Sequence, residues 1–167
     1  MKPLSLLAAV ALGLLLQACI KSEAPKFPLS SAVPALGDGG RYEVFERSSH
    51  VYSRLSSMEM RRRPDGAYDF VTEKDPIPMS FHDIGNGRFV VQATVDDPPG
   101  YGYGVMMREG SAILLYTTGC DLRDPAILES HGVDPDTCSI DNVKDPIQFF
   151  NVIFSADEPT FKLVPVQ

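Results

Sequence analysis

Residues 41–167 predict an α+β domain: a mainly antiparallel β-sheet of roughly six to eight strands with one or two short helices in the C-terminal half. Three observations carry that prediction. Apolar and polar residues alternate with period two from Arg41 onward, turn residues interrupt the alternation at short intervals, and two late Asp-Pro pairs open stretches of helical spacing.

The alternation places successive side chains on opposite faces of a strand. Met58 and Met60 alternate with Glu59 and Arg61. Pro64, Asp65 and Gly66 then form a turn, after which Tyr68, Phe70 and Thr72 share one face and Asp69, Val71 and Glu73 the other, as in a hairpin. Asn86-Gly87 marks the next turn. Phe89, Val91, Ala93 and Val95 follow on one face, opposite Val90, Gln92 and Thr94, until Pro98-Pro99-Gly100 breaks the strand. Tyr101, Tyr103, Val105 and Met107 begin another strand, Glu109-Gly110 turns it, and 112–118 completes a second hairpin. Both strands of that hairpin are apolar on nearly both faces, which predicts a mid-sheet position with one face under helices.

Two helices are cued by their starts. Asp124-Pro125 supplies a side-chain acceptor at the N-cap and a residue without an amide proton at the first helical position, and Gly132 suits the end of that short helix. Asp145-Pro146 repeats the device, opening a stretch to about Phe154 with Ile147, Phe150 and Phe154 on one face. Phe161 and Leu163 alternate with Lys162 as a closing strand, whose end Pro165 places at an edge or beyond the sheet. Lys74-Asp75-Pro76-Ile77 recurs as Lys144-Asp145-Pro146-Ile147, a weak sign of internal duplication.

The first 19 residues, MKPLSLLAAVALGLLLQAC, have a positive start at Lys2, a charge-free apolar run from Leu4 to Leu16, and a small residue, Ala18, before Cys19. The run is shorter than the roughly 20 apolar residues that span a bilayer as a helix. Leu16-Gln17-Ala18-Cys19 resembles the lipobox of bacterial prolipoproteins, with Gln17 where that family usually has a small residue. The resemblance implies a signal peptide over 1–18, removal of that signal, diacylglyceryl attachment to the Cys19 thiol and acylation of the new amino terminus. It covers these residues alone. Residues 20–40 contain Pro25, Pro28 and Pro34 without a sustained apolar period, so 19–40 reads as the lipidated cysteine and an extended tether, and 41–167 as one globular domain. Ile20 after the lipid cysteine, where inner-membrane retention usually calls for Asp, favours the outer membrane, facing the periplasm.

Removing 18 of the 167 residues leaves 149, enough for one domain with a sizeable core. Lys2 is the one charge lost, which leaves 22 acidic against 14 basic residues. That balance opposes a nucleic acid partner, whose phosphates require a dense basic surface, and assigns membrane binding to the acyl chains. With Cys19 given to lipid, Cys120 and Cys138 remain as a pair for an oxidising periplasm. A disulfide is the leading reading, with free thiols or a redox pair as the alternatives; no Cys-x-x-Cys spacing supports the redox pair.

Candidate chemistry is sparse. His50, His82 and His131 lack the paired spacing of a metal site, and Ser111, Ser130 and Ser139 lie in no Gly-x-Ser-x-Gly setting. Asp134, Asp136 and Asp141 lack the Gly and Glu positions of an EF-hand and read as a capped turn. Arg61-Arg62-Arg63 is the one basic run. It is a candidate contact for lipid phosphates, lipopolysaccharide or an acidic partner, although arginines at a hairpin end are commonly just solvated. Tyr101-Gly102-Tyr103-Gly104 puts glycines on one strand face and tyrosines on the other, which makes Tyr101 and Tyr103 candidate binding residues beside a groove; close helix packing on the glycines is the simpler expectation. The expected function is a lipid-anchored envelope protein whose domain binds or supports an envelope protein or glycan, without a cofactor. The alternatives are a small hydrolase with carboxylates assembled by folding, or an inhibitor presenting the 120–138 loop.

Overall fold

The computed structural model describes residues 20–71, 75–96, 98–117, 119–120, 123–154 and 158–166. In chain order the strands are β1 (Lys21–Ser22), β2 (Gly39–Ser48), β3 (Val51–Arg62), β4 (Tyr68–Val71), β5 (Ile77–Gly85), β6 (Arg88–Asp96), β7 (Pro99–Glu109), β8 (Ala112–Tyr116) and β9 (Phe161–Pro165). Helices α1 (Pro125–Ser130) and α2 (Pro146–Ile153) lie between β8 and β9.

The antiparallel α+β character agrees with the sequence, but the sheet is closed. Strands β2 to β8 run as a meander, and β9 returns between β8 and β2, with Leu163 opposite both Ile113 and Val44. The additional β7–β8 pairing completes an eight-stranded barrel. Closure gives every barrel strand a partner on both sides, although β3 pairs with β4 over Glu59–Arg62 alone. β8 covers only the second half of β7, Val105 to Glu109, and the two residues of β1 take over at Tyr101 and Gly102.

Strand alternation separates two cores. Tyr42, Val44, Met58, Met60, Tyr68, Phe70, Met79, Phe81, Val91, Met106, Phe161 and Leu163 fill the barrel interior. On the outer wall, Val90, Tyr103, Val105 and Tyr116 pack against Leu128 of α1 and Phe149, Phe150 and Ile153 of α2. The uncovered wall at β2 and β3 instead carries Arg41, Glu43, Glu59 and Arg61. An apolar interior with a charged exterior is the inverse of a membrane-spanning barrel, whose lipid-facing band is apolar.

Local signals operate as their chemistry requires. Asn86 and Gly87 both adopt left-handed backbone, φ 55° and 71°, as a two-residue hairpin demands. The Asp124 carboxylate accepts from Ala126 N (2.9 Å) and that of Asp145 from Gln148 N (2.9 Å), satisfying amides at the two helix starts. Cys120 and Cys138 form a disulfide with Cα atoms 5.7 Å apart, clipping the helical excursion. In the chain-entropy account, a loop of this size contributes about 3 kcal/mol.

Three expectations are corrected. Residues 20–38 do not stand off as a tether: Ile20 is 1% exposed and Phe27 6%, and backbone hydrogen bonds link Lys21 N to Cys138 O (3.0 Å) and Ile140 N to Lys21 O (2.8 Å). Proline blocks helix there but leaves the remaining amides free to pair with neighbouring loops. Ile147 is 46% exposed, because the buried side of α2 is Phe149, Phe150 and Ile153. The duplicated tetrapeptide marks no structural repeat, since Asp75-Pro76 leads into β5 whereas Asp145-Pro146 opens α2; Lys74 lies outside the described residues.

Candidate functional site in the barrel interior

An eight-stranded barrel is just wide enough either to be filled by side chains or to hold one small ligand. Here the interior retains a cavity of about 50 Å³. Met58 and Met60 of β3, Met79 of β5 and Met106 of β7 line it, together with Leu36, Phe81, Val91, Gly104, Ile113, Leu115, Thr117 and Leu163. Thr117 is the one lining residue with a polar side chain, so water has little to bind and the space is of the dry kind. The methionines are unbranched, polarisable and able to change rotamer without leaving their strands. Gly104 widens the space, since a Cβ there would come within 3.1 Å of Tyr116 O.

The turns joining β3–β4, β5–β6 and β7–β8 lie at one end of an up-and-down barrel. At that end β4 is short, and the segment 33–38 occupies the gap beside β5, with Val33 N donating to Phe81 O (2.8 Å). Leu36 enters the cavity from this segment. Tyr68, fully buried, fastens it: its hydroxyl donates to Gly37 O (2.6 Å) and accepts from Leu36 N (3.3 Å). Burial raises the Tyr68 and Tyr42 phenols above their ordinary pKa, which keeps both protonated.

Two arginines stand at the same rim. Arg62 is in register with Tyr68, and Arg108 with Ile113, both interior residues, so each arginine occupies an interior-facing position two residues beyond a cavity methionine, Met60 or Met106. Two residues of strand are roughly 7 Å. Arg62 Nη1 lies 3.6 Å from Asp38 Oδ1, whereas Arg108 is exposed and forms no ion pair among the described residues. The charge of Arg108 opposes the effect of burial on both the Tyr42 and the Tyr68 phenol.

A second polar constellation lies on the outer wall, beneath residues 20–31. His82, 2% exposed, stacks on Phe27 with ring centres 4.9 Å apart. Its Nε2 is 2.8 Å from Ser80 Oγ and its Nδ1 2.9 Å from Ser31 Oγ. Burial holds the imidazole below its ordinary pKa. A serine beside a histidine suggests nucleophilic chemistry, but a hydroxyl rather than a carboxylate engages the second nitrogen, and Ser80 is only 6% exposed. This arrangement fastens the N-terminal segment, as Gln92 does by exchanging two 3.1 Å hydrogen bonds with the Phe27 backbone.

The residues singled out from sequence are dispersed. Cys19 lies outside the described residues, and Cys120 and Cys138 are joined. The three arginines diverge and each meets a carboxylate: Arg61 with Glu59 (3.0 Å), Arg62 with Asp38, and Arg63 with Asp65 (2.8 Å) and Asp69 (3.5 Å). Alternation sends only Arg62 toward the barrel opening. Tyr103 is fully buried and holds the N-terminal segment, so it presents no surface to a ligand; Tyr101 is half-buried beside Lys21, Pro98 and Pro99. The glycines between them look into the barrel, and α2 packs on the tyrosine face, with Phe150 5.6 Å from Tyr103. That reverses the expected helix-on-glycine packing. The four interior methionines and Arg108 were readable as strand residues, but nothing local marks them as sharing one chamber. Among the described residues no group of three His, Cys, Asp or Glu side chains is placed to hold a metal.

Comparison with known proteins returns no matching family model, no matching curated protein and no matching solved structure.

Proposed function

We propose that this protein is a lipid-anchored binding protein of the bacterial cell envelope, facing the periplasm, whose barrel takes up a small apolar molecule. The observation that carries the binding role is the dry, methionine-lined chamber inside a closed barrel. The chamber is small as it stands, and the conformational freedom of Met58, Met60, Met79 and Met106 supplies the adaptability that a ligand needs. The lipobox-like Leu16–Cys19 and the Cys120–Cys138 disulfide support the envelope address.

Because Ile20 is buried directly after Cys19, acyl chains on that cysteine hold the barrel close against the bilayer rather than on a long leash. The outer membrane is the favoured location.

Two measurements test this reading. The intact, non-reduced mass of the full-length protein extracted from bacterial membranes should lack residues 1–18, gain acyl groups and show the disulfide. The same lipoprotein in nanodiscs, labelled with ¹³C at the methionine methyls, should respond to dodecanol at Met58, Met60, Met79 and Met106. Met107 belongs to the outer core and serves as the internal control. Dodecanol that moves none of the four, or moves Met107 equally, removes the case for an interior site.

A further inference from the structure

We infer that the ligand is an unbranched fatty carboxylate, and that it competes with the 33–38 segment for the same place. This rests on the barrel being a binding site. The segment presents the two parts of such a molecule in the right order. Leu36 puts an aliphatic side chain into the methionine-lined cavity, and Asp38, two residues later, puts a carboxylate 3.6 Å from Arg62 at the rim.

The chamber imposes the rest of the ligand's chemistry. Its interior has almost nothing to satisfy a buried polar group, so the inserted part is hydrocarbon. Its rim carries Arg62 and Arg108 at interior-facing positions, so the part left at the opening is an anion, which a guanidinium binds through paired hydrogen bonds. The distance of roughly 7 Å from cavity methionine to rim arginine lets one chain reach both. Arg108 has no ion pair among the described residues and is the cation still available.

Displacement of the segment frees both subsites together. Leu36 leaves the cavity while Asp38, on the same short stretch, releases Arg62. Gly37, with φ of 61°, lies within this stretch, and Gly39, with φ of 87°, joins it to β2. The hydrogen bonds from Tyr68 to the Leu36 and Gly37 backbone, and from Val33 to Phe81, resist the opening. Binding is therefore a competition between the chain's own Leu36–Asp38 and an external tail and head.

The test compares dodecanoate, dodecanol and dodecylammonium on the methionine-labelled lipoprotein in nanodiscs, read at the four interior methyls. Dodecanoate should bind roughly tenfold more tightly than dodecanol, the scale of one charge-assisted contact, and dodecylammonium more weakly than either. Arg108→Gln should reduce that preference severalfold, leaving the remainder to Arg62. Asp38→Asn, at a fully exposed carboxylate, should loosen the segment and tighten dodecanoate severalfold, with a smaller gain for dodecanol. Leu36→Ala should tighten both. Equal binding of the three amphiphiles, or an Asp38→Asn variant no better for dodecanoate, overturns the inference while leaving the interior site standing. Failure of all three to bind overturns the binding reading itself.

Discussion

The phenol oxygen of Tyr103 lies 2.7 Å from the hydroxyl of Ser22, 81 positions earlier in the chain. It also accepts from Lys26 N (3.0 Å) and donates to Gln92 Oε1 (3.2 Å). One buried hydroxyl thus joins β1, the following loop, β6 and β7, and burial keeps it protonated by raising its pKa. This bolt turns a proline-containing segment into part of the folded domain.

Tyr103→Phe should therefore loosen the N-terminal segment while retaining the ring that packs on Phe150. Leaving Ser22 and Lys26 N without this partner should cost about 1–3 kcal/mol. Limited trypsin digestion provides the local readout: cleavage after Lys21 and Lys26 should be slow in the wild type and accelerate severalfold in the variant. Equal cleavage rates would mean that the segment is held by something other than the phenol.

His82 should make stability depend on pH. Its folded pKa is depressed below the ordinary value of 6.5 by burial, so the unfolded chain binds a proton that the folded chain does not. The associated stability is fully present above the unfolded pKa and falls with acidification until pH reaches the folded pKa, with a slope of at most about 1.4 kcal/mol per pH unit. Urea unfolding at pH 7.5 and at successive values below 6.5 should show this loss, and His82→Gln should flatten it. An unchanged pH dependence in the variant would assign the effect elsewhere.

Gly39 is where the 33–38 segment joins the barrel. Its φ is 87°, and a Cβ there would collide with the carbonyl oxygen of Met60. Gly39→Ala should destabilise the fold by about 2 kcal/mol or more, as measured by the urea midpoint. Gly37→Ala has open space around the added carbon, although φ is 61°, and should cost only about 1 kcal/mol. Equal losses would show that strain of the backbone, rather than contact with Met60, governs this corner.

Much of the local structure was legible. Met58 and Met60, Tyr68 and Phe70, and Phe89, Val91 and Ala93 are interior pairs and triplets in the registers that alternation predicts. Asp124-Pro125 and Asp145-Pro146 open helices because a carboxylate acceptor followed by a residue lacking N–H fits the first turn in any context. The site was not legible as a site. In the sequence Arg62 stands out only as part of a basic run and Arg108 has no local mark, because their common direction follows from registers with Tyr68 and Ile113 on other strands. Nothing in the sequence around His82 marks it as buried; Phe27, 55 positions away, stacks on it.

The sequence by itself determined where most strands and turns fall and which residues start the helices, since each depends on neighbours within a few positions. Tertiary structure decided that the sheet closes, that the methionine face is the inside, and that residues 20–38 are walls and plug rather than leash. The physical reason is that alternation defines two faces of each strand but says nothing about what either will meet. Closure arises only when β9 returns between β8 and β2, pairing Leu163 with Val44 across the length of the domain. From that one long-range pairing follow an apolar chamber, a rim with two arginines, and an outer wall whose buried polar groups are satisfied by residues 22–31.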